Sequence, residues 1–291
     1  MAFNVETFKT RALTAVVFAI VMLAGLFINQ WSFLLLFSII HAGCWFEYQK
    51  LVGLIDGDYQ QINPFHKYGV IVLGWGFMLW MATPGWSVAG FTLHETGWWI
   101  LLLMVIVLPV TEVLFSKQFQ LKNIGYSLLG LLYISLSWGL MIDLYNIGSA
   151  YSGVFSGINL GWLIPVVLIA SIWINDTMAY IVGSFIGKTP FSVISPKKTW
   201  EGTIGGAILA VITVTLAGYY SGLNDITSLL VISAIAAVIG TTGDLLESKL
   251  KRMAGVKDSG SFMPGHGGFL DRFDSLVLAT PFVWLYLKLF L

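Results

Sequence analysis

The chain has 291 residues, of which 57% are hydrophobic and 10% charged, with a mean hydropathy of +0.83. That balance excludes a soluble globular domain, and a formal net charge of zero argues against a nucleic-acid partner. Its one cysteine, Cys44, excludes an internal disulfide and, set in an apolar run, reads as a buried inert thiol.

Apolar runs between polar breaks predict spans at about 12–28, 32–47, 69–83, 98–115, 124–143, 162–187, 203–221, 227–247 and 273–290. The first follows Lys9 and Arg11 as a signal peptide would, but no convincing small-x-small cleavage site ends it, so it reads as an uncleaved helix. The expected fold is all-α: a single polytopic membrane domain over 1–291 with about nine transmembrane helices. Residues 1–160 are expected to supply scaffold and lipid access, and 161–291 the catalytic helices and loops.

Lys and Arg fall in alternate loops. Lys9 and Arg11, Lys50 and Lys67, Lys117 and Lys122, Lys188, Lys197 and Lys198, and the run from Lys249 to Arg272 all lie on one side of that count. The intervening loops, about 29–31, 84–97, 144–161 and 222–226, hold neither residue. The positive-inside rule then puts the N-terminus and every basic loop in the cytoplasm and the C-terminus outside, with Lys288 snorkelling to the interface.

Early polar residues suggest little chemistry. Glu47, at the end of the second span beside Tyr48, reads as an interfacial anchor in preference to a site residue. Asp56, Asp58, His66 and Lys67 read as the solvated face of a loop. Glu112 and Asp143 lie near span ends with no spacing that assigns them a role, and His94 and Glu95 receive none. The sixth span differs, because Asn175 and Asp176 interrupt it at depth. An ionisable group there costs about 3 kcal/mol or more unless it faces a polar cavity or a cation, so Asp176 reads as functional.

Gly183, Ser184 and Gly187 then permit close helix approach. The loop that follows carries Gly187-Lys188-Thr189-Pro190 and Ser195-Pro196-Lys197-Lys198-Thr199-Trp200-Glu201-Gly202. Paired lysines flanked by hydroxyls, ahead of a helix whose start is marked by Thr199 and Gly202, form a candidate phosphate cradle. The topology rule explains the same lysines equally well. The glycines from Gly202 to Gly206 open a membrane helix and read as packing, since a Walker-type lysine loop is absent from the sequence.

Charge is concentrated between Gly243 and Ser275. On a helix, Asp244, Glu247 and Ser248 share one face, and Asp271 and Asp274 are spaced one turn apart at the start of the last span. Carboxylates gathered in this way need a cation among them, and an oxygen-only set favours Mg2+ over zinc. Lys249, Lys251, Arg252 and Lys257, followed by Pro264-Gly265-His266-Gly267-Gly268, add countercharge and a backbone able to turn N–H groups toward an anion. These are the parts of a phosphoryl- or nucleotidyl-transfer site. His266 reads equally as a structural hydrogen-bonder or as a phosphate-contacting, proton-handling group.

The run Ser248-x-Leu250-Lys251-Arg252, then Lys257-Asp258, then Pro264-x-His266-Gly267-Gly268-x-x-Asp271-Arg272-x-Asp274 resembles the signature of the phosphatidate cytidylyltransferases, also called CDP-diglyceride synthases. Met263 departs mildly from the usual Leu, Ile or Phe. Asp176 and the Ser195–Gly202 segment resemble the family's other polar landmarks, so the similarity is strong over about 170–291 and only architectural before that.

The resemblance implies an integral membrane enzyme, in a bacterial inner membrane with its active site facing the cytoplasm, that joins CTP to phosphatidate and releases pyrophosphate. It implies Mg2+ at Asp244 and Asp271, completed or oriented by Asp176, Glu247 and Asp274, with K+ as an optional second cation. Asp244, Asp271, Lys251, Arg252 and His266 would be catalytic. Ser195, Lys197, Lys198, Thr199, Lys257, Asp258, Gly267, Gly268 and Arg272 would bind substrate. A homodimer is left open. Two other readings, a CTP-dependent lipid-alcohol kinase and an ion-coupled transporter, rank below this one; the transporter reading predicts acids in both halves of the chain, whereas these crowd into the last part.

Overall fold

The computed structural model describes residues 5–116, 120–156, 160–223, 225–262 and 267–290. Among the described residues the regular structure is helical apart from a small antiparallel hairpin and an isolated bridge, and the chain divides into two units, each considered separately. One comprises Met1–Asp143 with Met253–Arg272, the other Leu144–Arg252 with Phe273–Leu291.

The first unit begins with α1 (Val5–Phe27) and α2 (Gln30–Ile55). Asn29 starts α2 through a capping box: its side chain accepts from the N–H groups of Trp31 and Ser32, and Ser32 Oγ accepts from Asn29 N, which satisfies donors the first turn would otherwise orphan. A short turn, α3 (Gly57–Gln60), leads into α4 (Pro64–Trp80), which has Asn63 as N-cap and Pro64 at the first position, where a missing N–H is harmless. The hairpin β1 (Ser87–Val88) and β2 (Phe91–Thr92) precedes α5 (Leu93–Phe115). Next come α6 (Leu121–Gly130), a π-helical turn at Leu131–Ser135, and α7 (Leu136–Ser156).

α2 is the centre of this unit's packing. Phe33, Phe37, Cys44, Trp45 and Leu51 are fully buried, and Phe37 meets Trp138 with ring centroids 5.4 Å apart. The π turn swings Ser135 inward, where its Oγ accepts from Trp45 Nε1 at 2.9 Å and pairs with His41 Nε2 at 2.9 Å. Of the polar residues read as a solvated loop, Asp58 is exposed and Asp56 and Lys67 are partly so, but His66 belongs to this interior. α2 extends well past residue 47, and His66 is buried on α4, with Nδ1 at 2.8 Å from Glu112 Oε2 and Nε2 at 2.7 Å from Ser127 Oγ. A buried carboxylate and imidazole satisfy each other here, so neither needs water.

The second unit contains the rest of α7 with α8 (Leu163–Ile186), α9 (Trp200–Tyr220), most of α10 (Ile226–Met253) and most of α11 (Leu270–Phe290). α8 and α9 approach closely through small residues. A Cβ on Gly202 would lie 2.7 Å from Ala179 O, and one on Gly206 would lie 2.7 Å from Ala179 N, so the glycine run serves packing, as the sequence suggests.

Among the described residues, six helices are long and apolar enough to cross a membrane: Leu93–Phe115, Leu121–Ala150, Leu163–Ile186, Trp200–Tyr220, Ile226–Met253 and Leu270–Phe290. α5 exposes Leu103, Val105, Ile106, Val113 and Leu114, an apolar surface that lipid covers and water would not. The protein is an all-α, polytopic membrane protein.

Candidate active site

In the second unit, α10 carries Asp244 and Glu247 on one face, as the i and i+3 spacing predicts. The helix continues to Met253, so Lys249, Lys251 and Arg252 are helical and not part of a loop. Lys251 therefore reaches back one turn to Glu247, Nζ to Oε2 at 2.5 Å, with the Glu247 side chain fully buried. Lys198, from the loop before α9, pairs with Asp244 Oδ2. Asp176 on α8 faces Lys198 and Asp244 and is bonded by Asn175, while Asp274 on α11 faces Asp244 and Glu247. Asn175 is 3% exposed and its Oδ1 has no hydrogen-bond partner, a buried acceptor left for an incoming donor or cation.

Lys198 thus pairs with Asp244 and Lys251 with Glu247, while Asp176 and Asp274 each lie within electrostatic reach of Asp244. A hard-oxygen set of this kind fits a divalent cation such as Mg2+ in donor chemistry. Among the described residues, no three His, Cys, Asp or Glu side chains converge as ligands on one point. The ammonium groups of Lys198 and Lys251 occupy the positions of positive charge beside Asp244 and Glu247.

The lysine-bearing loop is held from behind. Thr199 caps α9, with Oγ1 accepting from Gly202 N at 3.2 Å, so this helix starts where the sequence marks it. Glu201 accepts from Lys188 N and Thr189 N, each at 3.2 Å, and from Thr189 Oγ1 at 2.8 Å. Phe191 N donates to Lys198 O at 2.7 Å and Trp200 N to Thr189 O at 3.0 Å, closing residues 189–200 into a hairpin-like loop. Ser195 O accepts from Lys198 N at 3.1 Å, and Lys197 points outward, exposed. Glu201, to which the sequence reading gave no role, fixes where the lysines stand.

In the first unit, the loop between α10 and α11 is organised around two carboxylates. Asp271 Oδ2 accepts from Ser259 N at 2.9 Å, Ser259 Oγ at 2.9 Å and Gly268 N at 2.7 Å. Glu47, 8% exposed on α2, accepts from Ser259 Oγ at 2.6 Å, Phe269 N at 2.9 Å and Leu270 N at 2.9 Å. Glu47 is therefore no interfacial anchor; it receives the first N–H groups of α11, whose positive end offsets its charge. Only glycine fits the adjoining turn. Gly267 has φ of +85° with a would-be Cβ 2.6 Å from Asp271 Oδ2, and one on Gly268 would collide with the Glu47 carboxylate. Gly268 N therefore donates to a carboxylate of the protein itself.

Of the other residues named from the sequence, Arg252, Lys257, Asp258 and Arg272 are exposed. His266 lies outside the described residues, together with Met263, Pro264 and Gly265. Glu47 was missed because its partners lie 212 to 223 positions away, beyond any local spacing.

The model of the cytidylyltransferase family matches residues 9–290. The phosphatidate cytidylyltransferase of Bacillus subtilis is 32% identical over 284 residues, 97% of this chain and 98% of that one. That of Haemophilus influenzae is 32% identical over 295 residues, covering 94% and 96% of the two chains. A chloroplastic phosphatidate cytidylyltransferase of Arabidopsis thaliana is 37% identical over 179 residues, 60% of this chain and 45% of its own. The similarity is thus not confined to 170–291 but extends through the N-terminal helices that carry Glu47. The chain belongs to the phosphatidate cytidylyltransferase family.

Proposed function

We propose that the protein transfers the cytidylyl group of CTP to phosphatidate, forming CDP-diacylglycerol and pyrophosphate in phospholipid biosynthesis. Family membership over nearly the whole chain carries this reading, and the acidic and basic cluster of α8, α10, α11 and the Lys198 loop supports it. The phosphate of phosphatidate, already anionic near neutral pH (second pKa about 6), attacks the α-phosphorus of CTP. The new P–O bond forms as the bond from the α-phosphorus to the bridging oxygen breaks, and pyrophosphate leaves with that electron pair. Little proton handling is required, so positioning and charge stabilisation supply most of the catalysis.

Asp244, with Asp176, Glu247 and Asp274, would hold Mg2+, which neutralises triphosphate charge when bound. Lys198 would release Asp244 and turn to the nucleotide phosphates, assisted by Lys197 and Arg252, with Glu201 keeping the loop in place. Asn175 Oδ1 would meet its missing donor in the same exchange. Asp271 enters through the loop it organises with Glu47 and Ser259, which sets where Gly268 and Arg272 stand. In membrane terms, the nine apolar runs would be nine spans with the N-terminus and basic loops cytoplasmic, placing this chemistry on the side where CTP arrives.

Purified protein in mixed micelles with Mg2+ and CTP tests the reading through pyrophosphate release. Release that requires phosphatidate is expected. CTP consumption indifferent to phosphatidate would overturn it.

A further inference from the structure

In the first unit, the hairpin of β1 and β2 has two unlike faces. Ser87 pairs with Thr92 and Val88 with Phe91, and because side chains alternate along a strand, each pair shares one face. The turn between them holds Ala89 at φ +51° and Gly90 at φ +86°, the positive values that a two-residue hairpin turn needs to keep Val88 and Phe91 directly opposite. Thr92, on the polar face, is used by the protein: its Oγ1 accepts from Glu95 N at 3.2 Å and caps α5. The apolar face is bare, with Val88 56% and Phe91 74% exposed.

The hairpin is fixed to the start of α5. Leu93 N donates to Trp86 O at 2.8 Å, and the buried Trp86 ring lies 6.3 Å from that of Trp31. His94 Nδ1 donates to Trp80 O at 2.6 Å. A Cβ on Gly97 would lie 2.2 Å from Trp80 N, so the end of α4 and the start of α5 meet backbone to backbone. The Val88–Phe91 pair therefore has a set position relative to α5.

Its surroundings say what covers it. α5 is the helix whose apolar surface lipid covers, and Trp98 and Trp99 are 44% and 67% exposed near its start, as an aromatic belt at a membrane–water boundary is. From Leu93 to Trp98 is about 7.5 Å along the axis, comparable with the headgroup region on one side of a bilayer, about 5–7 Å. Residues 84–97 hold neither Lys nor Arg, and Glu95 is the one acid among them. Its carboxylate accepts from Thr92 Oγ1 at 2.9 Å, on the polar face.

We propose that this hairpin is an interfacial anchor: its Val88–Phe91 face lies against the headgroup–acyl boundary of the bilayer, and its Ser87–Thr92 face is turned to protein and water. The partner is the lipid surface itself. With no cation in the segment, contact does not depend on anionic headgroups. The anchor does not rest on the cytidylyl-transfer reading.

The test labels the full-length Val88→Cys and Phe91→Cys variants with the environment-sensitive fluorophore NBD and reconstitutes them in phosphatidylcholine nanodiscs. Cys44 is 0% exposed, so the wild type supplies the labelling background. Both variants should emit to the blue of labelled Asp58→Cys, at an exposed polar position. Nitroxide-bearing lipids should quench them and aqueous iodide should not. Labelled Ser87→Cys, one residue away on the polar face, should emit as in water and be quenched by iodide. Added phosphatidylglycerol should change none of this. Water-like emission with iodide quenching at 88 and 91 would overturn the proposal. So would a blue shift without lipid quenching, which would mark a second copy or another protein as the cover, or like behaviour at 87 and 88, which would deny the two-faced hairpin.

Discussion

Ser259 Oγ donates to Glu47 Oε2 at 2.6 Å across 212 positions of sequence, and the same hydroxyl lies 2.9 Å from Asp271 Oδ2. One serine thus links a carboxylate of the second helix to a carboxylate of the family signature. Glu47→Gln puts an NH2 donor where one oxygen now accepts, facing either Phe269 N, the donor to Oε1, or Leu270 N, a donor to Oε2. Because hydrogen bonds to charged groups contribute about 1.5–3 kcal/mol each, we predict a fall in turnover of about tenfold or more with a lower melting temperature. Wild-type values for both would contradict this role for Glu47.

Lys198 and Asp244 form the central ion pair of the acidic cluster. Lys198→Met should lower kcat/KM for CTP by about a hundredfold, the scale of losing one preorganised charge at a transferring phosphate, and Lys198→Arg should recover part of it. Steady-state kinetics in CTP decide the matter, and an unchanged kcat/KM in the Met variant would remove Lys198 from the site.

Glu201 anchors Lys188 N, Thr189 N and Thr189 Oγ1, and these contacts are exposed, so they contribute little to global stability. Glu201→Gln should raise KM for CTP about threefold to tenfold, through a less ordered lysine loop, with an unchanged melting temperature. A stability loss without a KM effect would make Glu201 a purely structural residue.

Asp56 pairs with Lys122, and that bond, with those from Asp58 N and Tyr126 OH, holds its carboxyl below the ordinary value of 3.8. A carboxyl depressed on folding adds stability above its unfolded pKa and loses it as pH falls through its folded pKa. The difference in melting temperature between wild type and Asp56→Asn should therefore stay flat from about pH 8 to about pH 5 and shrink only below about pH 4. A difference that grows on acidification would refute this sign.

Chelation of divalent cations by EDTA should abolish turnover, and Mg2+ should restore it, since the Asp176, Asp244, Glu247 and Asp274 set offers oxygen donors suited to that ion. Full activity in excess chelator would show that Lys198 and Lys251 alone balance the triphosphate.

Much of the fold was legible because it rests on local signals. Apolar runs gave the helices, Thr199 gave one of their starts, and the i, i+3 spacing placed Asp244 beside Glu247. Legibility failed where distant contacts decide. Glu47, His66 and Glu112 look interfacial or solvated in sequence, yet each is buried against a partner from another element. Lys251 looked like a loop cation because the charge of the segment hid its helical continuation, in which position i+4 from Glu247 settles its partner. That Phe269 N and Leu270 N meet a carboxylate was not legible, because Glu47 lies on a helix more than two hundred positions away.

The most direct test of the central claim incubates purified protein with phosphatidate, Mg2+ and CTP labelled separately at the α and γ phosphorus. Cytidylyl transfer predicts α label in the lipid fraction and γ label in pyrophosphate. Label from the γ position in lipid would instead identify a kinase, and label from neither position in lipid would contradict group transfer altogether.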